Sequence, residues 1–334
     1  MEPSSTPHPH VHAPSAGTDP RAGFHLDVAA RSDPGLERSG NEDSFLVLSP
    51  PGWAVLAVCD GMGGAAGGEI ARRIAVDVLR EVVTAGGPPA TRDALGRRLL
   101  HGVEEAARRV FAASRRTQGL AGMGTTATAC ALTGDVLYVA QVGDSRAYLL
   151  RDGRLTQLTR DQTLATLMME RGQLTPEDLP DFPHAHVILQ AVGTCEHVEV
   201  DLTRVRVARG DVILVCSDGL YGHLRHEALR AVLAREPTPA AACEALIALA
   251  NAEGGPDNIT AIVGHVSGDA LEAPSGPPAP EKARLDEDED ETMQMPHLAA
   301  ADEQPESTQR QPETEEGVFA RLAAIFRRRH DGGV

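Results

Sequence analysis

Cysteine is scarce in this sequence: five residues, at 59, 130, 195, 216 and 243, an odd number with no C-x-x-C pair. That spacing excludes a disulfide framework and a zinc ribbon, and it fits a reducing compartment. Basic charge is also short, with 31 Lys and Arg against 48 Asp and Glu and a net of −17. A nucleic-acid surface rewards clustered Lys and Arg, so that partner class is excluded. No stretch approaches the roughly 18 apolar residues of a membrane span. The N-terminal MEPSSTPHPHVHAPSAG has no signal-peptide core either. The expectation is a cytoplasmic monomer.

What is present is ample apolar residue, 42% of 334 positions, enough for a packed core. Residues 1–20 are rich in Pro, Ser and His and read as a disordered leader, with His8, His10 and His12 as a loose metal tract or an inert tail. Between Phe24 and Val266 the strand-like runs FLVLSP, WAVLAVCD, TTATACAL, VLYVAQVGD, RAYLL, DVILVCSD and ITAIVGHV are divided by turn signals. Helical spacing appears in Ile70, Ile74 and Val78, and again in Leu95, Leu99, Val103, Ala106 and Val110. A second helical pair fits 227–235 and 239–251. Helices therefore come in pairs between groups of strands, which favours antiparallel sheets with flanking helices over a doubly wound parallel fold.

Residues 269–334 hold 16 acids against 7 Lys and Arg, so more than half of the excess charge sits there. Residues 269–314 read as a Pro-rich, then acidic, disordered linker. Over 315–330 an amphipathic helix is predicted, Val318, Phe319, Leu322, Ile325 and Phe326 sharing one face. It would dock on a partner, on the main domain or on an anionic membrane surface, or stay marginal. Thr292, after six acids, is a candidate phosphorylation site that would recruit a phosphothreonine reader.

The stretch AVLAVCDGMGGAAGGEIA at 54–71 poses the chemical question. A P-loop needs Gly-Lys-Ser/Thr after its glycines, and a dinucleotide fingerprint needs G-x-G-x-x-G directly after the strand; neither fits well. Asp60 is the alternative focus, because VLAVCDG recurs as VILVCSDG, an apolar strand ending in Asp218-Gly. YVAQVGDSR ends a third run at Asp144, Asp257 precedes a strand in GGPDNITAIV, and Asp43 lies in RSGNEDSF. Each alone reads as a turn or cap residue. Together, carboxylates at strand ends beside glycine suit hard divalent cations, Mn²⁺ or Mg²⁺, and a cation would relieve their repulsion. Arg38, five residues before Asp43, has the planar fork that matches phosphate oxygens.

At RSGNEDSF, VCDGMGG, GMGTTAT, VGDSRAYLL, CSDGLYG and PDNITAIV, in that order, the chain resembles bacterial metal-dependent serine/threonine protein phosphatases of the type-2C (PPM) family, over roughly residues 21–268. The resemblance implies an α+β, four-layer α-β-β-α sandwich, two stacked and mainly antiparallel sheets flanked by helical pairs. It implies two Mn²⁺ or Mg²⁺ ions and a third, weaker one. Asp60 would bridge the pair, Gly61 would bind through its carbonyl, and Asp218 and Asp257 would complete the other site. Glu42 and Asp43 would act through waters, Asp144 with Asp218 would hold the third ion, and Arg38 would bind phosphate.

The implied reaction is direct hydrolysis of phosphoserine and phosphothreonine by a metal-activated water, opposing Ser/Thr kinases, with phosphorylated proteins as partners. The opposing reading is a catalytically silent protein that only binds phosphorylated partners; the intact set of aspartates argues against it. Met62 and Ala65 stand where relatives often have histidines, which leaves the general acid open. Between GDSR and CSDG, Gln162 and Phe182 also replace frequent histidines, and His184-Ala185-His186 replaces the usual Arg-Asn.

Overall fold

The computed structural model describes residues 10–13, 23–179 and 182–285. In chain order the elements are β1 (His10–Ala13), β2 (His25–Asp33), β3 (Asp43–Leu48), β4 (Trp53–Met62), α1 (Ala65–Thr84), α2 (Arg92–Arg116), β5 (Gly124–Thr125), β6 (Ala127–Thr133), β7 (Val136–Val142), β8 (Arg146–Arg151), β9 (Arg154–Gln157), α3 (Leu164–Glu170), β10 (Asp201–Arg206), β11 (Val212–Cys216), α4 (Asp218–Tyr221), α5 (His226–Arg235), α6 (Pro239–Ala252), β12 (Ile259–Ser267) and β13 (Glu281–Lys282). One sheet has the order β1-β2-β12-β11-β8-β9 and the other β13-β10-β7-β6-β4-β3, with β5 paired to the end of β4. Every ladder between named strands is antiparallel.

The period of two along each strand creates the layers. In β4, Val55, Ala57 and Cys59 pack with α1 and α2, while Ala54, Leu56 and Val58 pack toward the other sheet. In β11, Ile213 and Val215 face the inter-sheet core, while Val212, Leu214 and Cys216 join the core under α5 and α6. Three apolar cores therefore separate four layers, helices–sheet–sheet–helices, as expected from the helical pairs. Each fully buried leucine, such as Leu56 or Leu149, contributes about 1.5–3 kcal/mol by leaving water.

The helix ends follow local chemistry. Thr91 caps α2 by accepting from the Ala94 N–H, Asp93 lies in its first turn, and Arg115 and Arg116 lie in its last. Thr238 caps α6, whose first residue is Pro239. All five cysteines are free, and four are buried as small apolar residues.

Two segments differ from the compositional reading. His10–Ala13, inside the expected leader, pairs with Val28–Arg31 at the edge of the first sheet. The stretch 269–285, expected as the start of the linker, is anchored: Leu271 is buried in the inter-sheet core, β13 extends the second sheet, and Ala283 and Leu285 pack against the core under α1 and α2. Its few apolar residues land on open core edges, which composition does not weigh. His8, Thr292 and the helix expected over 315–330 lie outside the described residues. Among the described residues no helix is long and apolar enough to cross a membrane.

Candidate metal centre

The inter-sheet layer is apolar along most of its length and polar at one end. On β4 the alternation Ala54, Leu56, Val58 leads to Asp60; on β3, Val47 and Phe45 lead to Asp43. On β7, Leu137 and Val139 lead to Gln141, and on β8, Leu149 and Ala147 lead to Ser145. On β11, Ile213 and Val215 lead to Ser217; on β12, Val266 and Ile262 lead to Thr260; on β2, Leu26, Val28 and Ala30 lead to Ser32. Eight strands thus turn polar on the same face at the same end, since β6 adds Thr128 after Leu132 and Cys130.

Strand register sets the acids side by side. Asp43 is the cross-strand partner of Asp60. The Asp60 N–H donates to Thr126 Oγ1 at 3.0 Å, and its carbonyl accepts from the Thr126 N–H and from Thr125 Oγ1, both at 2.8 Å. Thr126 Oγ1 is 2.7 Å from Ser145 Oγ, so one buried hydroxyl pair ties the Asp60 strand to the turn that carries Asp144. Ser217, immediately before Asp218, donates its hydroxyl to Asp43 Oδ2 at 2.7 Å. Asp218 begins α4, and Asp257 stands in the loop ahead of β12.

These carboxyls feel one another. Burial holds the Asp60 carboxyl well above the ordinary carboxylate range, and Asp43, Asp218 and Asp144 push it further the same way. Burial pushes Asp43 up to about 7, opposed by hydrogen bonds from Ser217 and Thr260 and assisted by the charges of Asp218 and Asp257. Asp144 is pushed up to about 7, by burial first and then by Asp218. Asp218 is raised by burial and by Asp257, and lowered by its hydrogen bond with Asp60. The five aspartates singled out in the sequence therefore share one end of the sandwich.

The donor set is all oxygen, and Asp43 Oδ1 and Asp218 Oδ1 are buried without a hydrogen-bond partner. Unpaired buried carboxylate oxygens are what a hard divalent cation would use, so the residues fit Mn²⁺ or Mg²⁺. Among the described residues, no group of three or more His, Cys, Asp or Glu side chains is arranged to close around one ion.

Arg38 and Glu42 complete the rim. Arg38 Nη2 donates to Asp257 Oδ2 at 2.8 Å, and the guanidinium stays half-exposed. Its pKa is raised by that bond and by the Asp257 charge, with Glu42 and Asp60 adding to the effect. The Glu42 carbonyl accepts from the Gly61 N–H at 2.9 Å. Gly63 and Gly64 turn the chain at φ +102° and +84°, where side chains are strained. α1 then starts at Ala65, so Gly68 lies within its first turns. A Cβ on Gly68 would stand 2.4 Å from Glu42 Oε2, and one on Gly61 would stand 2.5 Å from the Gly68 carbonyl oxygen. The glycines thus let the helix start, Glu42 and the Asp60 strand end approach closely.

Sequence reasoning missed the residues that fix this geometry. Asn258, almost fully buried, accepts from the Glu42 N–H at 2.7 Å and donates to the carbonyls of Pro34 at 2.9 Å and Gly40 at 2.8 Å. Arg72 of α1 donates to Ser44 Oγ and to the Asn41 carbonyl, on either side of Glu42 and Asp43. Asn258 and Thr126 sit inside the quoted PDNITAIV and GMGTTAT, yet their roles depend on partners far away in sequence. A cavity of about 650 Å³ does exist, but it lies at the opposite end of the sandwich, among Thr133, Asp135, Arg151 and Arg206, and none of the acidic cluster lines it.

A family model described as protein phosphatase 2C matches residues 37–252. The chain belongs to the protein phosphatase 2C family. The serine/threonine protein phosphatase PstP of Mycobacterium tuberculosis is 37% identical over 82% of this chain and 51% of its own length. The chain therefore spans about half the length of that relative. The serine/threonine phosphatase stp of Listeria monocytogenes is 32% identical over 70% of this chain and 93% of its own. The crystal structure of the catalytic domain of PstP in complex with two manganese ions superposes with a TM-score of 0.65 at 38% identity, covering 73% of this chain and 99% of that one.

The family match holds every candidate residue except Asp257, which enters the cluster through the fold. Gln162, singled out in the sequence, is buried. Its Oε1 accepts from the Gly143 N–H at 2.8 Å and from Gln190 Nε2 at 3.0 Å, while its Nε2 donates to Asp201 Oδ2 at 3.2 Å. It ties the turn before Asp144 to the segment leading into Ala191. Phe182 meets His184 edge-on at 5.9 Å between ring centroids.

Proposed function

We propose that this chain hydrolyses phosphoserine and phosphothreonine on proteins in a Mn²⁺- or Mg²⁺-dependent reaction, in the cytoplasm, opposing Ser/Thr kinases. The observation that carries the reading is the convergence of Asp43, Asp60, Asp144, Asp218 and Asp257, with Arg38 at the rim, in a chain of this family. A pair of ions, when bound, would neutralise phosphate charge and acidify a water. Asp60 would hold both ions, with the Gly61 carbonyl on one and Asp218 and Asp257 on the other. Glu42 and Asp43 would orient waters, Asp144 would join Asp218 at a third ion, and Arg38 would present its fork to the phosphate oxygens. The two manganese ions in the PstP catalytic domain support this assignment by likeness. Phosphorylated proteins, kinases among them, are the partner class that follows.

The test is phosphate release from a phosphothreonine peptide by the full chain. EDTA stops it, Mn²⁺ restores it, and Asp60→Asn abolishes it while the fold persists by circular dichroism. Release that survives thorough chelation overturns the proposal.

A further inference from the structure

The β8–β11 ladder, ending in the Arg146–Cys216 pair, brings the β7–β8 turn with Asp144 beside Asp218 at the start of α4, and what fixes their separation beyond that last pair is the question for the third ion assigned to both. Tyr221, the last residue of that single helical turn, donates its hydroxyl to the Asp144 carbonyl at 2.9 Å. The turn is closed by the Gly222 N–H on the Asp218 carbonyl at 2.7 Å. Asp218, Tyr221 and Asp144 are thereby joined through one turn of backbone and one hydrogen bond.

The ring is held on one face as well as at its hydroxyl. The Arg146 guanidinium lies over it, with Cζ 3.6 Å from the ring centroid. Arg146 is itself fixed by Asp161, which accepts from Nε at 2.9 Å and from Nη2 at 2.5 Å, and by Tyr148, whose hydroxyl accepts from Nη1 at 3.0 Å. Arg146 also follows Asp144 by two residues, so the cation clamps the ring from the same turn that the phenol binds. Stacking restrains the ring laterally, and the hydrogen bond sets the remaining distance.

We infer that Tyr221 is a positioning residue that fixes the separation of Asp144 and Asp218 and so sets the affinity of the cation they share. This rests on the proposed role of Asp144 as a ligand. Tyr221→Phe removes the hydroxyl and leaves the stacked ring in place.

The experiment is Mn²⁺ titration of the metal-stripped full chain by calorimetry, for the unaltered protein, Tyr221→Phe and Asp144→Asn. The expected result is two tight steps and one weak step in the unaltered protein. Asp144→Asn loses the weak step. Tyr221→Phe keeps the tight steps and weakens the weak one by about 3- to 10-fold, the weight of one hydrogen bond. If Asp144→Asn loses the weak step and Tyr221→Phe leaves it unchanged, the inference is overturned while the ligand assignment stands. If Asp144→Asn titrates like the unaltered protein, or no weak step exists, the ligand assignment falls and takes the inference with it. Equal weakening of every step in Tyr221→Phe makes the residue a general structural one and overturns the inference too.

Discussion

Without bound cations the acidic centre is a source of instability whose size depends on pH. Asp144 has its carboxyl raised from 3.8 to about 7, by burial and then by the Asp218 charge. A raised carboxyl binds its proton more tightly in the folded chain than in the unfolded one. The stability this group contributes is therefore fully present below about pH 4 and is lost as pH rises to about 7. A shift of about 3 units corresponds to about 4 kcal/mol. Asp43 is raised in the same direction, also to about 7. The two share neighbours, so about 4 kcal/mol is the scale and not a sum.

From pH 5 upward about two of the three units remain to be lost, about 3 kcal/mol, which for a domain of this size moves the melting temperature by roughly 6–10 °C. The assay is scanning calorimetry at pH 5, 6, 7 and 8, in EDTA and in Mn²⁺. In EDTA the melting temperature falls toward pH 8, and Asp144→Asn flattens the fall. Because cations bind the ionised form, the gain from Mn²⁺ grows with pH. A metal-stripped melting temperature that is level or rising from pH 5 to 8, or a gain from Mn²⁺ that is equal at both ends, refutes the reasoning.

Two further outcomes follow from residues at opposite ends of the sandwich. Asn258→Ala removes three hydrogen bonds that register the Arg38–Glu42 loop; it costs about 1–3 kcal/mol in urea unfolding and lowers kcat/KM on a phosphopeptide, and an unchanged kcat/KM would count against its positioning role. Asp211 is fully buried and accepts from Arg151 Nε at 2.8 Å and Nη2 at 2.6 Å, so Asp211→Ala strands a buried guanidinium; it lowers stability by about 3–5 kcal/mol while kcat/KM per folded molecule holds, and a loss under about 1 kcal/mol refutes the account of the pair.

The elements legible in the sequence are those whose pattern is local. The spacing of Ile70, Ile74 and Val78, and of Leu95 to Val110, marks α1 and α2 because both bury one stripe on the second sheet. β4 and β11 are near-continuous apolar runs because both faces are covered. β2 and β10 escape the same reading. HLDVAARSD backs its apolar face of Leu26, Val28 and Ala30 with Asp27 and Arg31 on the other, and DLTRVR carries Arg204 and Arg206 on its outward positions. Their strand character is supplied by partners such as β12, more than 220 residues from β2 in the chain. The acids were legible because a carboxylate ending an apolar strand is conspicuous. Asn258, Thr126 and Arg72 were not, because an amide, a hydroxyl and a surface-type cation have no local signature until the strands that they join are paired.

The arrangement also explains why the carboxylates sit at a strand end and not in mid-sheet. Mid-sheet, Asp60 and Asp43 would face the apolar layer of Leu56, Leu137 and Val215, with no donor in reach and an ionisation cost of several kcal/mol each. At the strand ends each acid has polar company supplied by the same register: Ser217 for Asp43, the Thr126 hydroxyl on the Asp60 N–H, and Tyr221 on the Asp144 carbonyl. Those groups pair with a carboxylate oxygen, a backbone N–H and a backbone carbonyl but add no positive charge. Among the described residues Arg38 is a cation bonded directly to a member of the cluster, and it stands at the rim, half-exposed. Bound divalent ions would balance the interior charge, and three apolar cores supply the stability against which that imbalance is held.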